Sequence, residues 1–264
     1  MPLWITSLNS GSNGNCYYVG NEHEAVLIDA GISCRQIEHR LDRLGLSLGT
    51  VKAIFVSHEH SDHIRGVAGL AQKYRLPVYI TPKTLRQLRL PLHKFPILPL
   101  SGHEPVWIGG LCVQAFPKFH DAADPHSFVV THQDTKVGVF TDIGQPCQPL
   151  ADHFSQCHAA FLEANYDEQL LEKGSYPSFL KQRIRGGHGH LSNQQALALF
   201  TMYKPDFMSH VVLTHLSKQN NCPQLLTELF KPHTDNTKLI IASRDEETPV
   251  FRITATQAHV ATDQ

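Results

Sequence analysis

The stretch VSHEHSDHIRG, residues 56–66, decides the fold of this chain. It continues the apolar run IFV, residues 54–56, which predicts a buried strand. Within six positions it offers four side chains that bind divalent metals: His58, His60, Asp62 and His63. His58 and His60 are two residues apart, so at an extended strand end their imidazoles leave the same face and converge on one ion. Apolar residues then recur at helical spacing, which predicts a strand, a metal-binding turn and a helix.

Length and composition set broad limits. A chain of 264 residues with a formal net charge of -1 has no global field that attracts nucleic acid or membranes, so a polyanionic substrate needs a local basic patch. The chain has no signal-peptide pattern and no run of about 18 apolar residues, which predicts a cytoplasmic protein without membrane attachment. Six scattered cysteines without a CxxC pair fit a reducing compartment.

Strands and helices alternate along the rest of the chain. Strands are predicted at residues 4–8, 16–19, 25–28, 78–80, 105–108, 111–116, 127–131, 136–141, 158–163, 211–213, 239–242 and 250–253. Helices are predicted at residues 166–173 and 177–185, and after the capping-box sequences that begin at Ser33 and Ser192. Residues 85–100, rich in Leu, Pro, Arg and His, are interpreted as an irregular rim.

Further ligand-type side chains stand at or just beyond predicted strand ends: Asp29, His120, Asp142 and His215. In open α/β sheets, functional groups gather on loops at one end of the strands. The recurrence therefore favours metal ligands over ordinary turn residues. For Asp29 two roles stay open, because a carboxylate at a strand end either orients a nearby ligand or caps the following segment.

Two segments are candidates for substrate binding. NSGSNGN, residues 9–15, forms either a tight hairpin turn or a nest of backbone amides that holds a phosphate, with Ser10 and Asn15 as contacts. A basic group supplies local positive charge unless its members are only solvated helix ends: Lys181, Arg183, Arg185, His188 and Lys218. From this group, His188 and Lys218 are the residues expected to bind substrate.

The ordered series of Asp29, HEHSDH at 58–63, His120, Asp142 and His215 resembles the five motifs of the metallo-β-lactamase superfamily. The resemblance implies one α/β domain over residues 1–264, folded as an αββα sandwich with a metal site at one edge. Four stretches resemble the narrower YycJ/WalJ group, whose members are regarded as DNA exonucleases: SLNSGSNGNCYYVG at 7–20, KFHDAADP at 118–125, GHLSNQQA at 189–196 and LTHLSKQN at 213–220.

The resemblance also implies the ligand set. The first ion would be held by His58, His60 and His120, the second by Asp62, His63 and His215, with Asp142 as the bridge. Asp29 would support the ligands. His190, before a predicted helix amino terminus, resembles the histidine that assists the leaving group in the phosphodiesterase branch, although a surface histidine is the alternative. No long insert separates Asp142 from His215, so the RNA-processing branch with an extra domain is disfavoured.

This ligand set indicates hydrolysis. Five imidazoles and two carboxylates without a thiolate favour two Zn ions, with Mn or Fe left open. Two such ions share a hydroxide and stabilise the oxyanions of an in-line displacement. We therefore expect a dinuclear phosphodiesterase, an exonuclease that acts on DNA rather than RNA through a metal-bound hydroxide. The expected catalytic residues are Asp62, Asp142 and His190.

Other functions stay open. The same ligands suit a small-molecule hydrolase that acts on a thioester, a lactone or a cyclic nucleotide, and a non-catalytic metal-binding module is a further alternative. A β-lactamase proper is disfavoured because Asp142 stands where a cysteine or a non-bridging arrangement is expected. A redox di-iron protein is disfavoured because His60 replaces the glutamate of that branch. The sequence does not indicate an oligomeric state.

Overall fold

Two sheets form the centre of the computed structural model, which describes residues 1–88, 94–102 and 104–255. The first sheet contains β1 (Leu3–Asn9), β2 (Cys16–Gly20), β3 (Ala25–Ile28), β4 (Val51–Phe55), β5 (Val78–Ile80) and β6 (Ile97–Pro99). The second contains β7 (Val106–Ile108), β8 (Leu111–Pro117), β9 (His126–His132), β10 (Thr135–Phe140), β11 (Ala159–Glu163), β12 (His210–Thr214) and β13 (Lys238–Ile241). The last strand, β14 (Phe251–Ile253), returns to the first sheet beside β1.

Helices cover the outer face of each sheet. The first sheet is covered by α1 (Cys34–Arg43), α2 (Ser61–Ile64), α3 (Val67–Tyr74) and α4 (Pro82–Gln87). The second is covered by α5 (Gln148–Phe154), α8 (Asn193–Tyr203) and α9 (Pro223–Phe230), and the chain between β11 and α8 forms α6 (Glu168–Lys173) and α7 (Ser178–Arg185). Both predicted capping boxes are present, at Ser33 before α1 and at Ser192 before α8.

Alternating side chains produce the layers. In β11, Ala159 and Phe161 point between the sheets, whereas Ala160 and Leu162 pack under the helices of the second sheet. In β4, Phe55 likewise faces the inter-sheet core, where its ring meets that of Phe128 edge-on. Successive residues of a strand thus alternate between the core between the sheets and the apolar layer under the helices, as the strand period requires. The predicted αββα sandwich is confirmed.

Parallel strands define the edge that carries the polar residues. β3, β4, β5 and β6 run parallel in the first sheet, and β10, β11, β12 and β13 run parallel in the second. Parallel neighbours end at the same edge of their sheet, so the segments that follow them are brought together.

The helix predicted after the metal-binding turn is divided in two. α2 ends at Ile64 and α3 begins at Val67. Between them, Gly66 N donates to Ala30 O at 2.7 Å, and a Cβ on Gly66 would lie 2.0 Å from Ile32 O. The chain breaks the helix because its backbone packs directly against the segment that follows β3.

The prediction of an irregular rim over residues 85–100 is wrong at both ends. α4 extends to Gln87, and β6 pairs with β5; residues 89–93 lie outside the described residues. The start of α4 carries a sequence signal that was overlooked: Thr81 Oγ accepts from Thr84 N, and Pro82 follows the cap. β6 has only three residues and ends in proline, so no alternation is visible.

Two more helices were not predicted. α5 and α9 each carry a proline in the first turn, Pro149 and Pro223. They bury Phe154 and Phe230 in the layer under the second sheet. With seven and eight residues, they span too few turns for a clear apolar period.

All six cysteines are free thiols, and Cys16 and Cys157 are buried. Among the described residues the longest helix is α8, with 11 residues, and none has the length and apolarity needed to cross a bilayer.

Candidate metal centre

The residues predicted as ligands meet at the edge where the parallel strands end. Asp29 follows β3, and the HEHSDH turn begins three residues after β4. From the second sheet, Asp142 follows β10 and His215 follows β12. Asp29, Asp142 and His215 have positive φ angles of 63°, 53° and 57°. Asp and His are among the few non-glycine residues that adopt this left-handed conformation with some frequency, and each turns the chain sharply at its strand end.

His58, His60 and His120 form a first triad. His60 Nδ1 lies 3.1 Å from His58 Nε2 and 3.4 Å from His120 Nε2. The remaining nitrogens of two rings are fixed: His58 Nδ1 lies 2.8 Å from Ser57 Oγ, and His120 Nδ1 donates to Gly189 O at 3.0 Å. Those partners leave both Nε2 atoms unprotonated and pointing at His60, as metal ligation requires.

Asp62, His63 and His215 form a second triad. Asp62 Oδ2 lies 3.6 Å from His63 Nε2 and 3.7 Å from His215 Nε2. His63 Nδ1 donates to Asp29 Oδ2 at 2.6 Å, and His215 Nδ1 donates to Glu163 Oε1 at 2.9 Å. Again the second nitrogen of each ring is held by a partner.

Asp29 therefore orients a ligand. Besides His63, it accepts from Ser57 N at 2.8 Å and from Ser57 Oγ at 2.7 Å. The Ser57 hydroxyl, which gives its proton to Asp29, accepts from His58 Nδ1. One buried carboxylate thus fixes a histidine of each triad.

Asp142 lies between the triads. Its Oδ2 is 3.2 Å from His63 Nε2, and its Oδ1 is 3.8 Å from His120 Nε2. Within the described residues, His215 Nε2 is buried without a hydrogen-bond partner, and Asp142 Oδ2 is buried with only the ionic contact to His63. Buried polar atoms rarely stay unpaired. These two atoms and the converging imidazole nitrogens fit the binding of divalent cations.

The two triads differ in their electrostatics. Burial and the neighbouring charge of His63 hold the pKa of His58 well below its usual value, and burial lowers the pKa of His120 to about 4. Burial also opposes protonation of His63, but the carboxylates of Asp142, Asp29 and Asp62 raise its pKa to about 10. Burial likewise opposes protonation of His215, but nearby carboxylates, Asp142 foremost, raise its pKa well above its usual value. The second triad lies in a strongly negative field that a cation would neutralise.

His190 stands beside the cluster without belonging to either triad. Its Nδ1 lies 2.8 Å from Glu163 Oε1 and 3.8 Å from Asp142 Oδ1, and its side chain is 22% exposed. It lines a cavity of about 260 Å³ together with residues of both triads. Because Nδ1 is held by Glu163, Nε2 is the nitrogen free to meet a ligand in that cavity.

Glu163 is the functional residue that sequence reasoning missed. It is fully buried and accepts from His190, His215, Ile143 N and Leu191 N. Burial alone would raise its pKa, but His190 and His215 lower it to about 2. The signal was faint: a carboxylate that ends the apolar strand AAFLE.

Lys118 was also overlooked as a buried charge. Its Nζ donates to Thr141 O at 2.6 Å, directly before Asp142. Burial lowers the pKa of Lys118, whereas Asp142 and Asp29 oppose this shift. Lys118 thus holds the turn that presents Asp142.

Ser10 and Asn15 lie beneath the cavity instead of facing it. Ser10 Oγ accepts from His215 N at 2.7 Å, and the side chain is buried. Asn15 Nδ2 lies 3.3 Å from Asp62 Oδ2 and 3.1 Å from His63 Nε2. The hairpin of β1 and β2 is confirmed, and these contacts indicate that both residues position the second triad.

The basic group predicted from the sequence is paired on α7. Arg183 Nε donates to Asp121 Oδ2 at 2.6 Å, at the mouth of the cavity. Arg185 pairs with Glu172 at 2.5 Å, and Lys181 donates to the backbone carbonyl of the same residue. Carboxylates thus compensate the charges of Arg183 and Arg185, whereas Lys181 is bonded to a neutral carbonyl.

His188 and Lys218 remain accessible. His188 meets the exposed ring of Phe119 edge-on, with ring centroids 5.9 Å apart. Lys218 is exposed and forms no ion pair within residues 1–88, 94–102 and 104–255. The two residues flank the cluster on the chain segments that carry His190 and His215, respectively.

Comparison with known proteins identifies the family. The model of the metallo-beta-lactamase superfamily matches residues 10–179. Exodeoxyribonuclease YycJ of Bacillus anthracis is 34% identical over 85% of this chain and 86% of its own length, and exodeoxyribonuclease WalJ of Streptococcus pneumoniae is 31% identical over 83% of each. The metallo-beta-lactamase fold protein YhfI from Bacillus subtilis shares the fold, with a TM-score of 0.73 at 14% identity over 96% of this chain and all of YhfI. The resemblance to the YycJ/WalJ group is thereby confirmed, and the chain belongs to the metallo-beta-lactamase superfamily of metal-dependent hydrolases.

Proposed function

We propose that this protein is a dinuclear metal-dependent phosphodiesterase that removes nucleotides from DNA ends. One observation carries the proposal: the buried Asp142 lies within 4 Å of a histidine of each triad, and His190 stands beside them on an open cavity. The similarity to two proteins named exodeoxyribonucleases, each over more than four fifths of this chain, supports DNA as the substrate.

The proposed ligands are those of the two triads, with Asp142 in contact with both. When bound, two divalent ions, Zn being favoured, supply an activated water nucleophile and neutralise charge on the phosphoryl oxygens. Asp142, Asp62, Asp29 and Glu163 offset the positive charge of those ions. Asn15, Ser57 and the carbonyl of Gly189 hold ligand side chains in place, and such partners preserve affinity and geometry.

His190 is proposed to protonate the leaving oxygen from Nε2. Glu163 accepts the Nδ1 proton of His190, which sets the orientation of the ring and leaves Nε2 for the leaving oxygen. The same Glu163 oxygen accepts from His215, so one carboxylate orients both the proposed proton donor and a proposed ligand of the second triad. Water is the nucleophile, and no serine or cysteine is needed.

The test is a panel of substrates. Metal-loaded protein is incubated with 5'-labelled and 3'-labelled DNA and RNA, each single-stranded and double-stranded, with bis-p-nitrophenyl phosphate, and with a thioester. We expect stepwise shortening of DNA from one end and hydrolysis of the phosphate diester. Cleavage of the thioester with intact DNA would replace the nuclease with a small-molecule hydrolase, and cleavage of RNA alone would refute the DNA assignment.

A further inference from the structure

A second cavity lies beside the candidate metal centre. It has a volume of about 270 Å³ and lies between the segment after β12 and the segment after β13. Leu216, Pro223 and Ile241 give it an apolar wall, and Lys218 and Arg244 bring positive charge to it. We call it the Arg244 pocket.

The position of this pocket follows from the sheet. β10, β11, β12 and β13 are parallel neighbours, and the first three lead to Asp142, Glu163 and His215. Arg244 comes three residues after β13, at the same edge. The ends of β10, β11 and β12 supply the candidate metal centre, and the end of the next strand, β13, supplies a cationic side chain beside it.

Hydrogen bonds connect the pocket to the centre. His215 N donates to Ser10 Oγ at 2.7 Å, and Ser10 N donates to Ser243 O at 3.2 Å. Asn13 Nδ2 donates to Arg244 O at 2.7 Å, and the intervening Ser12 lines the cavity of the metal centre. The loop of residues 10–15 thus contributes Ser12 to one cavity and is hydrogen-bonded to Ser243 and Arg244, which line the other.

Arg244 has unused hydrogen-bonding capacity. Its Nη1 is buried and has no partner within the part of the chain that the structure describes, whereas Nη2 makes only a long contact of 3.4 Å to Asn13 Oδ1. A buried donor without an acceptor is costly, and a guanidinium presents its donors in a fork that matches phosphate oxygens. Lys218, exposed on the same pocket, adds a second charge.

We propose that the Arg244 pocket binds a nucleotide unit next to the scissile phosphate, with its phosphate on Arg244 and Lys218 and its base against the apolar wall. This proposal rests on the proposed function and names a binding site for the strand that it cleaves. Asp245 also lines the pocket, and its carboxylate opposes the phosphate. A substitution that removes this carboxylate should therefore strengthen binding, whereas loss of Arg244 or Lys218 should weaken it.

Binding is measured by fluorescence anisotropy with zinc-loaded protein and a labelled single-stranded oligonucleotide with phosphorothioate linkages. Lys218→Gln combined with Arg244→Gln should raise Kd roughly tenfold or more, since charged hydrogen bonds are lost. The salt dependence of log Kd should weaken by about 0.7 per charge removed. Asp245→Asn should lower Kd by roughly twofold, and Lys52→Gln, an exposed control on β4, should leave it unchanged.

A Kd for the double variant within twofold of the wild-type value would refute the proposal that the Arg244 pocket binds a nucleotide unit. Lys218→Gln alone, at an exposed position, should still raise Kd and weaken its salt dependence, so a folding defect at Arg244 does not decide the result. Cleavage is scored separately. A wild-type protein that binds DNA through Arg244 but never hydrolyses it would refute the proposed function and leave the pocket standing.

Discussion

The first and second triads are built from the same kinds of strand ends but carry opposite electrostatic character. In the first triad, burial keeps His58 and His120 neutral, and the fixing partners are a hydroxyl and a backbone carbonyl. In the second triad, carboxylates fix His63 and His215 and raise the pKa of each ring. We infer that the first triad is ready for an ion, whereas the second must lose protons to accept one.

The largest effect is expected where the triads meet. Asp142→Ala removes the carboxylate next to both, so two cations would repel each other without a shared counter-charge. DNA hydrolysis should fall by roughly 10³-fold or more, equal to several kcal/mol of lost transition-state stabilisation. The measurement is kcat with metal content, alongside Asp134→Ala, an exposed control. Near-normal turnover with both ions retained would exclude a bridging role.

His190 separates chemistry from metal binding, because it belongs to neither triad. His190→Ala should keep its ions and lose about 10² to 10⁴-fold in kcat on DNA, the usual contribution of general acid catalysis. The loss should be smaller on bis-p-nitrophenyl phosphate, whose leaving group departs without a proton. Equal losses on both substrates would argue against proton donation, and a fall in bound metal would make His190 a ligand.

Substitution of Glu163 should change the metal affinity of the second triad but not that of the first. Glu163→Gln keeps the size of the side chain but weakens the contacts with His215 and His190. Partner residues of this kind typically contribute 10 to 100-fold in metal affinity, roughly, so the second ion should bind more weakly by that factor. The first triad should keep its affinity, because none of its rings contacts Glu163. Competition with a chelator measures both ions, and equal weakening at the two triads would contradict the difference between them.

Proton release should reveal the smallest difference. His63, with a pKa of about 10, is protonated at pH 7 in the ion-free protein, and His215 is raised in the same direction. Zinc must displace those protons, so binding at the second triad should release roughly two and tighten as pH rises above 7. His120 is neutral above about pH 5, so the first ion should release almost none. Calorimetry in two buffers of different ionisation enthalpy counts the protons, and equal release for both ions would remove the distinction.

The sequence predicts those site residues that are close together in the chain or that follow recognisable strands. The candidate ligands of the HEHSDH turn are close in the chain, and the other candidate ligands follow strands that are visible as apolar runs. Glu163 and Arg244 also stand at or after apolar strands, but their contacts arise only when parallel strands end side by side. The contact of Ser10 with the second triad is likewise invisible in the sequence, because its partner, His215 N, is 205 residues away in the chain.

The most direct test of the two-ion centre is a stepwise titration of metal-free protein with zinc, in which DNA hydrolysis and bound metal are measured at each step. We expect about two ions per chain, the first bound without activity and hydrolysis appearing as the second triad fills. Full activity with one tightly held ion per chain would contradict the dinuclear mechanism.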